Sequence, residues 1–280
     1  MIDILVEEIM TRDVVYTTIP GSRDKVLNLL KERQVSAVPV VKDGSLVGIV
    51  TRSDFLENPE EEQTALLMTR DPITAEPYES IESAARRLIQ HGIRRLPVVE
   101  NGELVGIITV SDIIGTIANL GIEEPIGEYV DPFVVSVWEE TPLPLVGRIM
   151  ELAGVKVVPV LDSACNFVGV ISDKDLIQSS TIVDTVERSD MSAGSDEDVW
   201  TWESIRDTMS LYYSVSRVEL PDIPAKEIMK NNDLTVLHTT PVSECARMMH
   251  RRGQRHLPLV KSNQQLKGLV EDTDLLKAIV

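Results

Sequence analysis

Four aspartates stand in one repeated frame, and their surroundings could bind a sugar phosphate. The frame reads GIVTRSD at 48–54, GIITVSD at 106–112, GVISDKD at 169–175 and GLVEDTD at 268–274. Each copy is a glycine, two apolar residues, a polar residue, two variable residues and an aspartate, followed by an apolar helical run. A hydroxyl three residues before a carboxylate is the signature of a capping box at a helix start. The same arrangement can do more. A helix N-terminus offers free N–H groups and the positive end of a dipole, which suits phosphate. An aspartate there can accept two hydrogen bonds from a vicinal diol, and the hydroxyls of Thr51, Thr109 and Ser172 can bond sugar or phosphate. The fourth copy carries Glu271 instead of a hydroxyl. A carboxylate repels phosphate, so that copy is expected to be empty, to use a cationic partner, or to take a positively charged ligand.

A phosphate also needs a cation. Each frame follows a proline nine or ten residues earlier, at Pro39, Pro97, Pro159 and Pro258, and the residues just before these prolines differ. The second copy has Arg94 and Arg95, the third Lys156, and the fourth Arg255 and His256; the first has Ser36 and Ala37 and no charge. In a chain of formal net charge -18, an Arg-Arg pair is either a solvated strand end paired with some of the many carboxylates or an anion contact. Arginine suits the latter because it binds phosphate in a bidentate fashion.

These residues need a scaffold, and the frame's periodicity supplies one. Met10 and Met68, Pro39 and Pro97, and Gly48 and Gly106 are all 58 residues apart, so the chain is read as a repeat protein. Each repeat reads strand, helix, strand, strand, helix. In the first, 14–18 (VVYTT) is the first strand, the run from Ser22 is a helix with Val26, Leu29 and Leu30 on one face, and Asp43-Gly44 turns a hairpin. In the second, Ile81, Ala84, Ala85, Leu88 and Ile89 form the helical stripe, and the turn is Asn101-Gly102. The third has a strand at 133–138 and a stripe of Val146, Ile149, Met150 and Ala153; the fourth has Val242, Cys245, Ala246 and Met249. The repeats span 1–57, 61–120, 124–179 and 222–280. The segment 180–221 is an insertion. Its first half (VERSDMSAGSDEDV) reads as an acidic loop. Its second half holds Trp200, Trp202, Tyr212 and Tyr213, with a helix at WESIRD and a strand at LYYSVSRVEL, serving as a local brace or as a lid or partner-docking element. A unit of three short strands and two helices covers its sheet poorly alone, so back-to-back pairing is expected, in pairs 1–120 and 121–280.

The chain resembles the CBS-domain proteins, whose repeats carry a hairpin proline, then a glycine, a Thr or Ser, and an Asp before the last helix. The likeness covers nearly everything outside 180–221. It implies an α+β fold of four βαββα repeats paired into two Bateman modules and assembled as a disc, as in the gamma subunit of AMP-activated protein kinase and stand-alone archaeal relatives. It implies ribose contacts for Asp54, Asp112, Asp175 and Asp274, and phosphate contacts for Arg94, Arg95, Lys156, Arg255 and His256. It also puts Val15, Ile73, Thr74, Val134 and Thr235 near the base. The ligand it implies is AMP, ADP, ATP or S-adenosylmethionine, and some relatives bind nothing.

Other chemistries find no support in the sequence. His91, His238, His250 and His256 stand apart, and there is no metal-ligand pattern, no Ser-His-Asp arrangement, no phosphate-binding GxxxxGK[ST] loop and no GxGxxG. An enzyme is not expected. The acidic charge opposes nucleic acid and anionic membrane as partners. Two distant cysteines and an acidic N-terminus are those of a cytoplasmic chain, and no apolar run reaches the ~18–20 residues of a membrane span. The expectation is a regulatory module that senses an adenosyl ligand and acts on a protein partner, as a monomeric disc or a homodimer. A ligand-free scaffold is the alternative, with an RNA-associated protein behind it.

Overall fold

The structure is a computed structural model that describes residues 4–58, 61–190, 210–231 and 234–280. The chain is α+β. It divides into two compact units, one of Met1–Pro132, Leu234–Asn263 and Lys267–Val280, the other of Phe133–Asp233 and Gln264–Leu266. The first unit therefore holds repeats 1 and 2 and most of repeat 4, whose leading segment falls in the second unit.

Repeat 1 comprises α1 (Val6–Ile9), β1 (Thr17–Thr18), α2 (Arg23–Glu32), β2 (Ala37–Lys42), β3 (Ser45–Thr51) and α3 (Arg52–Glu57). Repeat 2 comprises α4 (Thr64–Leu67), β4 (Thr69–Arg70), α5 (Ile81–Gln90), β5 (Arg95–Glu100), β6 (Glu103–Thr109) and α6 (Val110–Leu120). Hairpins β2–β3 and β5–β6 join edge to edge through Ser45 and Glu103, in a sheet of order β1-β2-β3-β6-β5 with β4 on β3. Asp43-Gly44 and Asn101-Gly102 have φ values of 51° and 88° in each pair, the positive values that a two-residue hairpin turn demands. Ser22 caps α2 by accepting a hydrogen bond from the Lys25 N–H.

The expected first strands are shorter than their apolar runs. Only Thr17–Thr18 of 14–18 is strand, and repeat 2 has a single bridge from Ala75 to Val98 in that place. The residues before them are used elsewhere, because each repeat's leading segment crosses to its neighbour. Thr11 pairs with Ile107 on β6, and Thr69 and Arg70 pair with Ile49 and Gly48 on β3. This crossing explains the glycine that opens the frame. A Cβ on Gly48 would lie 2.6 Å from Met68 Sδ, and one on Gly106 would collide with Met10 Sδ.

Repeat 3 lies in the second unit, with β7 (Val137–Trp138), α7 (Leu143–Ala153), β8 (Val157–Leu161), β9 (Phe167–Ser172) and α8 (Asp173–Ser179). Here too the strand expected at 133–138 narrows to two residues, and Ala153 of the α7 stripe is exposed. The insertion forms an antiparallel pair, β10 (Thr181–Asp190) with β11 (Ser210–Glu219). The strand expected at 211–220 is present at Ser210–Glu219. Residues 186–190, expected in an acidic loop, continue β10 instead, because the partner strand gives their backbone a ladder. The remainder of that loop and the WESIRD helix fall outside the described residues.

Repeat 4 contributes α9 (Val242–Arg252), β12 (His256–Val260), β13 (Leu266–Glu271) and α10 (Asp272–Leu276). Its helices share one core with repeat 2, in which Leu88, Ile113, Ile117, Met249 and Leu275 are buried. Burying each such side chain is worth roughly 1.5–3 kcal/mol. Burial pushes the Cys245 thiol up to about 12, so this residue packs as an apolar group. A polar tie joins α6 and α9. Ser243 Oγ donates to the Ile117 carbonyl at 2.6 Å and accepts from the Ile122 N–H at 2.8 Å.

Candidate functional site

The four frames close on themselves in one way. In each, the aspartate's Oδ2 accepts the backbone N–H of the residue before the helix, at 2.8 Å for Thr109 and Asp112, 2.9 Å for Ser172 and Asp175, and 2.8 Å for Glu271 and Asp274; Thr51 does the same to Asp54. The hydroxyls of Thr51 and Thr109 donate to the same oxygen at 2.7 Å, and that of Ser172 does so to Asp175. The capping box forms in all four frames, joined by a hydroxyl in three, and it is spent on Oδ2. Toward any ligand these hydroxyls can only accept, because their protons are already used. Oδ1 is the atom left over for a diol.

Asp112 lines a cleft of about 270 Å³, close to the lower end of the usual ~300–1,000 Å³ of small-molecule sites. Thr109, Asp112 and Arg95 of repeat 2 line it, opposite Val15, Gln34 and Ser36 of repeat 1. The crossing of the leading segment makes the cleft composite. Val15, expected at the base position of its own repeat, meets the aspartate of the next one. Asp13 and Thr11 also line it and were not foreseen in the sequence, although the paired Met-Thr-Arg-Asp stretches at 10–13 and 68–71 mark both. Around Asp54 the matching residue is Thr69, whose hydroxyl donates to Oδ1 at 3.4 Å. Ile73 is half-buried against the core of the first unit, and the Thr74 carbonyl accepts from Arg87, itself paired with Glu79.

Arg94 and Arg95 part company. Successive strand residues face opposite ways, so Arg95 turns into the Asp112 cleft and donates to Ser36 O at 3.0 Å and Ser36 Oγ at 2.9 Å. Arg94 does not line this cleft. It forms a two-pronged pair with Asp272 of repeat 4, a carboxylate only 6% exposed. Burial, and then the positive charges of Arg255, Arg94 and Arg52, push the Arg95 pKa below its ordinary value. Arg52 is thus a cation of this neighbourhood that the proline-adjacent pattern missed. His256 is held below the ordinary histidine value by burial, against Glu271 and Asp272, which favour its charged form.

The other two aspartates already have cations. Lys230 Nζ pairs with Asp175 Oδ1 in the second unit, where Lys156 is exposed and Val134 half-buried. Burial raises the Asp175 pKa, and the hydrogen bonds from Lys230 and Ser172 outweigh it, leaving the carboxyl below its usual range. In repeat 4, Lys277 Nζ donates to Asp274 Oδ1 at 2.6 Å and to the Tyr129 carbonyl at 3.0 Å, beside Glu271; Thr235 is half-buried elsewhere in the same repeat. A cationic partner is one of the three outcomes expected for that frame. Among the described residues no group of three or more His, Cys, Asp or Glu is placed to hold a metal, and no helix is long and apolar enough to cross a membrane.

Known proteins place this architecture. A conserved protein from Pyrococcus horikoshii matches over 99% of this chain and all of its own, with a TM-score of 0.71 and 27% identity. The structure of MJ1225 from Methanocaldococcus jannaschii, described as a candidate archaeal homologue of γ-AMPK, matches over 99% of this chain and all of its own, with a TM-score of 0.67 and 21% identity. By sequence, MJ1225 is 29% identical over 196 residues, 62% of this chain and 69% of that protein. An inosine-5'-monophosphate dehydrogenase of Korarchaeum cryptofilum is 38% identical over 114 residues, which are 38% of this chain and 23% of the enzyme. The CBS domain model matches residues 6–61, 64–119, 126–181 and 225–280, and the chain belongs to the CBS-domain family.

Proposed function

We propose that the chain is a regulatory sensor of an adenosyl ligand carrying phosphate, bound in the Asp112 cleft, and that it is not itself a catalyst. The observation that carries this reading is the pairing, in one cleft, of an aspartate oxygen with no hydrogen-bond partner among the described residues and an arginine crowded by other arginines. A carboxylate oxygen in that position accepts a sugar diol. A guanidinium flanked by like charges gains from an anion. Val14, Val15 and Ile107 supply apolar walls for a base. The ligand would bridge repeat 1 and repeat 2, since each contributes one side of the cleft. Binding that favours one arrangement of the two repeats over another biases that equilibrium, and a protein partner reads the bias.

Asp13 supports a second reading. It adds a carboxylate to the same cleft, and a sulfonium ligand such as S-adenosylmethionine would use it where a phosphate would not. Calorimetric titration with AMP, ADP, ATP and S-adenosylmethionine separately tests both. Micromolar binding of a nucleotide, lost by roughly 100-fold in Asp112→Ala, is the expected result, because two hydrogen bonds to a charged acceptor are worth about 3 kcal/mol. Equal affinity in the variant rules out the ribose role. Binding of S-adenosylmethionine alone selects the second reading.

A further inference from the structure

The four frames share one pattern but not one chemistry. The leading segment that crosses onto each frame glycine brings one residue up to the frame. The backbone carbonyls nearest the frame glycines identify it: Thr11 at Gly106, Thr69 at Gly48, Lys230 at Gly169 and Asp131 at Gly268. That residue is a threonine at the Asp112 and Asp54 frames, Lys230 at the Asp175 frame and Asp131 at the Asp274 frame, and the Thr69 hydroxyl and the Lys230 ammonium reach the aspartate's Oδ1. In the Asp274 frame, Lys277 supplies the ammonium from the frame's own helix, three residues beyond Asp274. The same place after Asp112 is Gly115, after Asp54 Glu57 and after Asp175 Gln178, so the lysine is particular to repeat 4.

We infer that Lys230 and Lys277 are built-in occupants of the ribose position, which reserve nucleotide binding for the Asp54 and Asp112 frames. Oδ2 is committed to the helix cap in every frame, so a diol has only Oδ1 to bind. In two frames that atom already carries an ammonium. Asp175 and Asp274 are also the more buried carboxylates, at 4% and 7% exposure, whereas Asp54 and Asp112 are half-buried. A neutral diol that displaced the lysine would exchange a charged partner for an uncharged one at a desolvated carboxylate, which is the weaker interaction. The two lysines have different chain origins, one on a crossing segment and one on a helix, and converge on the same atom. The site asymmetry is thus set by residues outside the four frames' shared pattern.

The inference rests on the proposed nucleotide reading, and two experiments separate the failure of one from the failure of the other. The first is AMP titration of the full chain with stoichiometry measured. The wild type is expected to take up two AMP per chain. K230T, which copies the threonine of the Asp54 frame and so keeps a short polar side chain there, is expected to take up a third. K277M combined with E271T, which removes the occupant and restores the frame hydroxyl, is expected to gain one as well. More than two AMP bound by the wild type, or no gain in either variant, overturns the inference. The second needs no nucleotide. Lysine acylation mapped by mass spectrometry is expected to quicken several-fold at Lys230 in D175N and at Lys277 in D274N, with Lys267 unchanged as the internal control. Unchanged rates overturn the pairing itself. A wild type that binds no AMP but shows the quickened acylation removes the nucleotide reading and leaves the lysine occupancy standing.

Discussion

At the scale of residues, two arginines adjacent in sequence do opposite jobs. Arg94 neutralises Asp272, and removing it leaves a carboxylate that is 6% exposed without its partner. Arg94→Ala is therefore expected to cost about 2 kcal/mol in urea unfolding, less than for a fully buried pair because the guanidinium is partly solvated. It should change AMP affinity little. Arg95→Ala should do the reverse, weakening AMP binding about tenfold or more with stability held or raised, since it relieves repulsion from three arginines. His256 gives a pH signature. Its folded pKa lies below the ordinary value of about 6.5, so the unfolded chain takes up the proton first. Its contribution to stability is complete above that value and is lost as pH falls toward the folded pKa. His256→Gln should show a smaller drop in urea midpoint than wild type between roughly pH 7.5 and 5.5, and equal drops would contradict the assignment. The candidate aspartates, hydroxyls and proline-adjacent basic residues were legible in the sequence, because each sits at a fixed place in a repeating frame, whereas Arg52 was not. The pairing of Arg94 with Asp272, and the lysines on Asp175 and Asp274, were not. They depend on which segment the fold brings to which frame.

At the scale of elements, the frame glycine is as constrained as the aspartate. Gly106→Ala would drive a Cβ into Met10 Sδ and displace the crossing segment that carries Thr11 and Val15 to the cleft. Overpacking of this kind costs about 1–3 kcal/mol, and here it should weaken AMP binding along with stability, since the segment is a wall of the site. The α6–α9 tie makes a different forecast. Ser243→Ala leaves the Ile122 N–H and the Ile117 carbonyl without their partner in a buried place, at a cost of about 1–3 kcal/mol by thermal or urea unfolding, with no loss of ligand binding. Helix stripes and hairpin turns were readable because their periods and their positive-φ residues leave direct traces. The first strands were over-read. An apolar run such as 14–18 carries the same pattern whether it pairs along its length or merely passes a cleft in extended form, and only β1 at 17–18 found a full partner.

At the scale of the molecule, four copies of one frame yield two aspartates paired with lysine, one bonded by a threonine hydroxyl and one whose Oδ1 has no partner among the described residues. A repeat protein gains its core by stacking copies. The copies are then free to diverge wherever stacking is indifferent, and the residue that the crossing segment brings to the frame glycine is such a place, since Thr, Lys and Asp all appear there. The repeat count and the α+β class followed from the sequence with little ambiguity. The grouping of most of repeat 4 with repeats 1 and 2 in one compact unit did not, because the apolar faces of α6 and α9 look in sequence like any other core stripe. The most direct measurement of the central claim is a crystal structure of the full chain grown with saturating AMP. The account predicts a ribose on Asp112 Oδ1 with its phosphate toward Arg95, and Lys230 still on Asp175. AMP absent from the Asp112 cleft at saturating concentration, or bound with its ribose away from Asp112, would contradict it.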